Sequence, residues 1–137
     1  MIALDTNVLA RAIVEEADAD AATLGQQQAA RALRSSGQAL FLPVTVIEEL
    51  EWVLRGVYDL PEAEVLAQLE DLLAIDNLVV DRAAAVARAV EGLRQGMDFS
   101  DARHLAQAGH CSQLATFEAR FRRPAKRLEL QPPVLAV

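Results

Sequence analysis

A chain of 137 residues is long enough to bury a substantial core, and a single domain spanning 1–137 is expected at that size. Its apolar share of 53% is rich in alanine, which favours close-packed helices, and no apolar run reaches the ~18 residues that a membrane span needs. The net charge of −7 argues against a nonspecific nucleic-acid binder, which carries a basic face.

The elements follow in chain order. "IAL" reads as a short buried strand, with a helix beginning after Asp5 or Thr6. "EEADADAATLG" is polar and reads as a loop or frayed turn, and "QQQAARALRSSG" as a helix that stops at Ser35-Ser36-Gly37. "ALFLP" is a second strand closed by Pro43. "TVIEELEWVLRGVY" is the clearest helix, with Val46, Ile47, Leu50, Val53, Leu54 and Val57 on one stripe. "LPEAEVLAQLEDLLAI" is a helix with Pro61 in its first turn. "NLVV" is a third strand. "DRAAAVARAVEGLRQG" is a helix ending near Gly96, and "DFSDARHLAQAGH" a helix ending at Gly109. "SQLATF" is a fourth strand, "EARFRR" one helical turn before Pro124, "RLEL" a fifth strand and "PPVLAV" an extended tail. Short strands alternating with amphipathic helices predict a three-layer α/β/α fold with a mainly parallel sheet of four to five short strands.

The single cysteine, Cys111, excludes an internal disulfide and offers no metal-ligand spacing. The opening residues lack the basic region of a signal peptide, and Asp5 interrupts the apolar run. A cytoplasmic protein is the expectation. His104 and His110 read as surface or structural residues.

In open α/β sheets, functional groups gather beyond the carboxyl ends of the strands. Asp5 follows the first strand and Glu118 the fourth. Asp98 and Asp101 begin the helix before that fourth strand, and Glu48 and Glu49 lie in the helix after the second. At ~100° per residue the stripe of that helix centres near Leu50 and Val57. Glu48 then points away from the core, while Glu49 and Glu51 lie at its two edges, and the angle alone leaves both open. Each acid also has a plain structural reading: Asp5 and Asp98 as helix caps, Asp101 and Glu118 as first-turn acids. Clustered carboxylates without Cys or His partners suit Mg²⁺ or Mn²⁺ rather than zinc, and such an ion can activate water against a phosphodiester. No glycine-rich phosphate loop or nucleophile elbow is present. The charge is uneven as well: Arg120, Arg122, Arg123, Lys126 and Arg127 follow Glu118, against Glu129 alone.

"IALDTNVL", "VIEELEWVL" and "MDFSDARHLAQAGHCSQLATFEARF", in that order over nearly the whole chain, resemble PIN-domain proteins, specifically the VapC-type toxin ribonucleases of type II toxin–antitoxin systems. The resemblance implies a metal-dependent endoribonuclease with a quartet of acids around Mg²⁺ or Mn²⁺. Carried over by motif, these are Asp5 in "LDTN", Glu49 in "EEL", Asp101 in "FSDA" and the acid after "ATF". The family's glutamate usually precedes a leucine, which selects Glu49. Asp98 takes the place of an auxiliary acid, and Thr6, Asn7 and Thr116 those of polar residues that position ligands and water. The last acid is usually aspartate, and here it is Glu118, one methylene longer.

The resemblance further implies an RNA substrate held by Arg120, Arg122, Arg123, Lys126 and Arg127, an antitoxin partner seated in a groove, and a homodimer. Trp52 falls opposite the apolar stripe, beside Glu48 and Arg55, and an outward Trp is a common interface anchor; packing under the next helix is its structural alternative. A phosphatase of the haloacid-dehalogenase type would carry a second Asp where Asn7 stands, and a downstream lysine motif is absent. A catalytically weakened binding module, for RNA or a protein partner, is the other reading, and Glu118 is the feature in its favour.

Overall fold

Helices and short strands alternate from end to end of the computed structural model, which describes residues 1–137. The contacts divide the chain into two compact units, Met1–Asp81 and Arg82–Val137.

The first unit contains β1 (Ile2–Ala3), α1 (Thr6–Ile13), α2 (Ala21–Arg34), β2 (Leu40–Leu42), α3 (Val44–Gly56), α4 (Glu62–Leu73) and β3 (Leu78–Val80). Its strands form a parallel sheet in the order β1-β2-β3, with Ile2 beside Leu40 and Leu40 beside Leu78. Parallel strands leave a sheet on the same side, so this register sends the chain from β1 into α1 and from β2 into α3 at one edge. Leu40, Leu42, Ile47, Leu50, Leu54 and Leu69 are each at most 1% exposed and make the core of this unit.

The second unit contains α5 (Ala83–Arg94), α6 (Phe99–Gln107), β4 (Leu114–Thr116), α7 (Ala119–Arg127) and β5 (Val134–Ala136). β4 and β5 are parallel, with Leu114 beside Val134. A Cβ built on Gly92 of α5 would lie 2.7 Å from the Ala102 Cβ of α6, so a glycine permits this helix contact. α5 closes in a Schellman turn: Met97 N–H donates to the Gly92 carbonyl, Gly96 N–H to that of Leu93, and Gly96 sits at φ +88°. That turn buries Met97 and delivers Asp98 to the cap of α6.

The five strands are present, all pairings are parallel, and hydrogen bonding groups them into a three-stranded and a two-stranded sheet. The architecture is mixed α/β with short parallel strands, as the sequence predicts. Several local expectations are corrected. β1 is an exposed edge strand, with burial beginning at Leu4. Of the stretch read as a loop, Glu15–Asp20 lies outside the helices, but Ala21–Gly25 already belongs to α2, which Asp20 caps by accepting from Thr23 N–H at 2.8 Å. Pro61 is the N-cap of α4 rather than a first-turn residue. α7 does not stop before Pro124 but runs to Arg127. "RLEL" is no strand: Leu130 N–H donates to the Ala125 carbonyl and Glu129 takes φ +52°, closing α7 as Gly96 closes α5. The fifth strand lies instead in "PPVLAV".

Candidate active site

Asp5 is the N-cap of α1, and its Oδ1 accepts the Thr6 N–H at 2.9 Å. Thr6 is 6% exposed, and its hydroxyl donates to Glu49 Oε2 at 2.9 Å. One threonine therefore holds two acids that stand 44 positions apart, Asp5 through its backbone and Glu49 through its side chain. Both acids remain exposed. Asn7, one residue on, is exposed and lines a groove between α1 and α2 with Val8, Arg11, Ala29 and Leu33.

α3 departs from the wheel drawn on its sequence. Its buried residues are Ile47, Leu50, Glu51 and Leu54, whereas Val57, just past its end, is 61% exposed. The buried arc is thus rotated away from Val57. Glu51 lies inside it at 5% exposure, with Arg55 Nε donating to its Oε1 at 2.9 Å. Glu48 is half-buried rather than outward. Glu49 lies outside the arc, not at its edge, and is the α3 acid that reaches Thr6. Trp52 is 57% exposed, with its ring over Gly56 of the same helix.

In the second unit, Asp98 caps α6 by accepting the Asp101 N–H at 3.1 Å. Asp101 is half-buried, and Asp98 is exposed. Burial is the largest influence raising the Asp101 carboxyl above its ordinary 3.8; Asp98 and Glu118 raise it further, while Arg120 and His104 act the other way. Those influences place Asp98, Asp101, Glu118 and Arg120 within electrostatic reach of one another. Glu118 is the N-cap of α7 rather than a first-turn acid, and its side chain makes no cap bond. Thr116 Oγ1 accepts the Glu118 N–H at 3.1 Å, and Arg120 Nε lies 3.8 Å from Glu118 Oε2.

The five cations of α7 do not form one strip. Arg120 stands beside Glu118. Arg122, Arg123 and Lys126 line a groove of about 590 Å³ between α7 and β5, and Arg127 reaches the Gln95 carbonyl at 3.5 Å. His104, His110 and Cys111 are exposed. Phe117, read as the end of β4, lies beyond it and is 82% exposed; an apolar residue between a threonine and an acid was the signal for it.

The carboxylates of Asp5 and Glu49 in the first unit, and of Asp98, Asp101 and Glu118 in the second, are hard oxygen donors of the kind that fits Mg²⁺ or Mn²⁺. No three Asp, Glu, His or Cys side chains are already gathered at ion-holding distance. The chain belongs to the PIN domain family, whose model matches residues 2–127. No curated protein and no solved structure matches it. PIN domains are a nuclease fold, so the class of activity is hydrolysis of nucleic acid. No helix is long and apolar enough to cross a membrane.

Proposed function

We propose that this chain is a metal-dependent endoribonuclease of the VapC type, the toxin of a toxin–antitoxin pair. The observation that carries the reading is Thr6 bonded to Glu49 while its backbone holds Asp5. A cap needs no second acid, and a buried threonine spent on two exposed carboxylates keeps both oriented. The family match over residues 2–127 supports treating the whole chain as one PIN domain.

In this reading Asp5, Glu49, Asp101 and Glu118 supply the oxygens for Mg²⁺ or Mn²⁺, with Asp98 as auxiliary acid. An ion held there would supply Lewis acidity, lowering the pKa of a water and offsetting charge on the phosphodiester. Thr6 fixes Glu49, Thr116 sets the turn that presents Glu118, and Asn7 offers a polar side chain one residue from Asp5. Arg120, Arg122, Arg123, Lys126 and Arg127 hold RNA phosphates, and the acidic remainder of the chain limits nonspecific binding. The groove of about 500 Å³ between α1 and α2 accepts a segment of the antitoxin, and exposed Trp52 supports a homodimer interface. The protein acts in the cytoplasm.

Cleavage of total cellular RNA by the purified protein tests the proposal, with Mg²⁺, Mn²⁺ or EDTA and an Asp5→Asn control. Discrete, metal-dependent cleavage that disappears in the variant supports it. A folded protein that cuts nothing under either metal favours the second reading, a weakened PIN module that binds RNA or protein. The exposed Glu118, standing where the family usually has aspartate, is the observation on that side.

A further inference from the structure

Phe117 is 82% exposed, more than any other large apolar side chain of the protein, the terminal Met1 and Val137 included. Scattered apolar residues on a surface need no explanation. This one differs in its surroundings. It lies in the turn between Thr116 and Glu118, and the Thr116 hydroxyl fixes that turn by accepting the Glu118 N–H. Glu118 stands beside Arg120 and acts on the charge of Asp101. Arg123 and Lys126 follow on the same helix. The fold gains no core contact from the ring, since α7 is anchored by Phe121 and Ala125 instead.

An exposed aromatic ring next in sequence to the Glu118–Arg120 pair suits recognition of single-stranded nucleic acid. Cations meet phosphates, and the ring meets the face of an unstacked base. A duplex keeps its bases stacked on each other and offers no such face. We propose that Phe117 is a stacking platform for an unpaired RNA base next to the acid site. The proposal deepens the ribonuclease reading and rests on it. Stacking is tolerant of base identity, so Phe117 selects strandedness and register, not sequence.

The test is binding of a fluorescein-labelled, mixed-sequence single-stranded RNA and of a matched RNA duplex to the full-length protein, in EDTA at low salt. Phe117→Ala and Phe117→Leu should weaken single-strand binding by about 5- to 100-fold, and Phe117→Tyr should retain it. Duplex binding and the thermal melt should not change, because the ring is exposed. In a Trp52→Phe background, the indole of Phe117→Trp should be quenched by the single strand and not by the duplex. Undiminished single-strand binding by Phe117→Ala overturns the proposal. So does equal binding by Phe117→Leu, which would mean simple apolar contact, or an equal loss on duplex. Because binding is read without metal, a wild type that binds through Phe117 but never cleaves RNA sinks the nuclease and leaves the platform standing. A wild type that binds neither RNA sinks the platform.

Discussion

The Thr6 hydroxyl donates to Glu49 Oε2 at 2.9 Å, across two helices that the parallel register of β1 and β2 starts from the same sheet edge. Thr6→Val keeps the shape and the backbone N–H that serves Asp5, and removes only this bond. A hydrogen bond to a charged group at a buried donor predicts a loss of about 1–2 kcal/mol in urea unfolding. Loosening one ligand through its partner predicts cleavage reduced by about 10- to 100-fold. Thr6→Ser should restore most of both. Unchanged cleavage by Thr6→Val would separate the bond from the chemistry.

Glu49 and Glu51 should divide function from stability. Glu49 is exposed and a glutamine there still offers an oxygen to the Thr6 hydroxyl, so Glu49→Gln should melt close to the wild type and lose most cleavage. Glu51 is 5% exposed and paired with Arg55, whose side chain is half exposed. Solvent at Arg55 weakens the pair, so Glu51→Ala should cost about 1–2 kcal/mol of stability rather than the larger cost of breaking a fully buried pair. Its cleavage, measured where it is folded, should stay near that of the wild type. The reverse assignment would follow if Glu51→Ala were stable and inactive.

These two glutamates also mark how far the sequence could be read. The α/β alternation was legible because short apolar runs and helical stripes differ in period. Asp5, Glu49, Asp101 and Glu118 were singled out only by the motif order: Asp5, Asp101 and Glu118 each have an ordinary helix-end explanation that spacing cannot exclude, and the helical angle left Glu49 and Glu51 both open. The α3 wheel failed because a buried Glu51 occupies an arc that hydrophobicity assigns to apolar residues, and because Val57 lies past the helix end. α7 was cut short because Pro124 reads as a stop; the proline lacks only one donor, and the helix continues with Leu128 N–H bonded to the Pro124 carbonyl. It ends at Arg127 and is closed by Glu129, a non-glycine in the left-handed region that no local pattern announces. The Thr6 bond, being long-range, could not be read at all.

Gly92 should tolerate no larger residue. A Cβ there would meet the Ala102 Cβ at 2.7 Å, and neither helix has a flexible side-chain end at that contact to move aside. Gly92→Ala gains helix propensity but overpacks α5 against α6, for a net loss of about 1–3 kcal/mol in urea unfolding. Gly92→Ala with Ala102→Gly should recover much of it. A stable single variant would mean that α5 and α6 lie further apart.

Asp101 should make the metal-free protein less stable as pH rises. Its folded carboxyl titrates above the ordinary 3.8, chiefly through burial and then through Asp98. Over the interval between the unfolded and folded values the native state binds more protons, so stability falls with rising pH. Asp101→Asn removes this slope and, in EDTA at neutral pH, should melt above the wild type, against the smaller benefit that α6 gains from an acid in its first turn. Adding Mg²⁺ should raise the wild type and leave the variant unmoved, since a ligand that binds only the native state stabilises it. A variant that melts lower than the wild type in EDTA would mean that the helix end outweighs the burial and the repulsion together.

Glu118 is the weakest of the four acids by its contacts. It is exposed, makes no cap bond and has its nearest cation, Arg120 Nε, at 3.8 Å, whereas Glu49 is held by a buried hydroxyl. An unheld side chain must lose rotamer freedom when it binds an ion, and the extra methylene adds to that cost. Asp5→Asn should therefore abolish cleavage to about 100-fold or below, while Glu118→Ala should lose about tenfold or less. Glu118→Asp has fewer rotamers to fix and keeps the Thr116 bond, which is made by the backbone; it should match or exceed the wild type at limiting Mg²⁺. Cleavage rates across a Mg²⁺ titration decide this. Equal loss in Glu118→Ala and Asp5→Asn would promote Glu118 to a full ligand, and the longer side chain would then be reaching an ion that an aspartate at this turn could not.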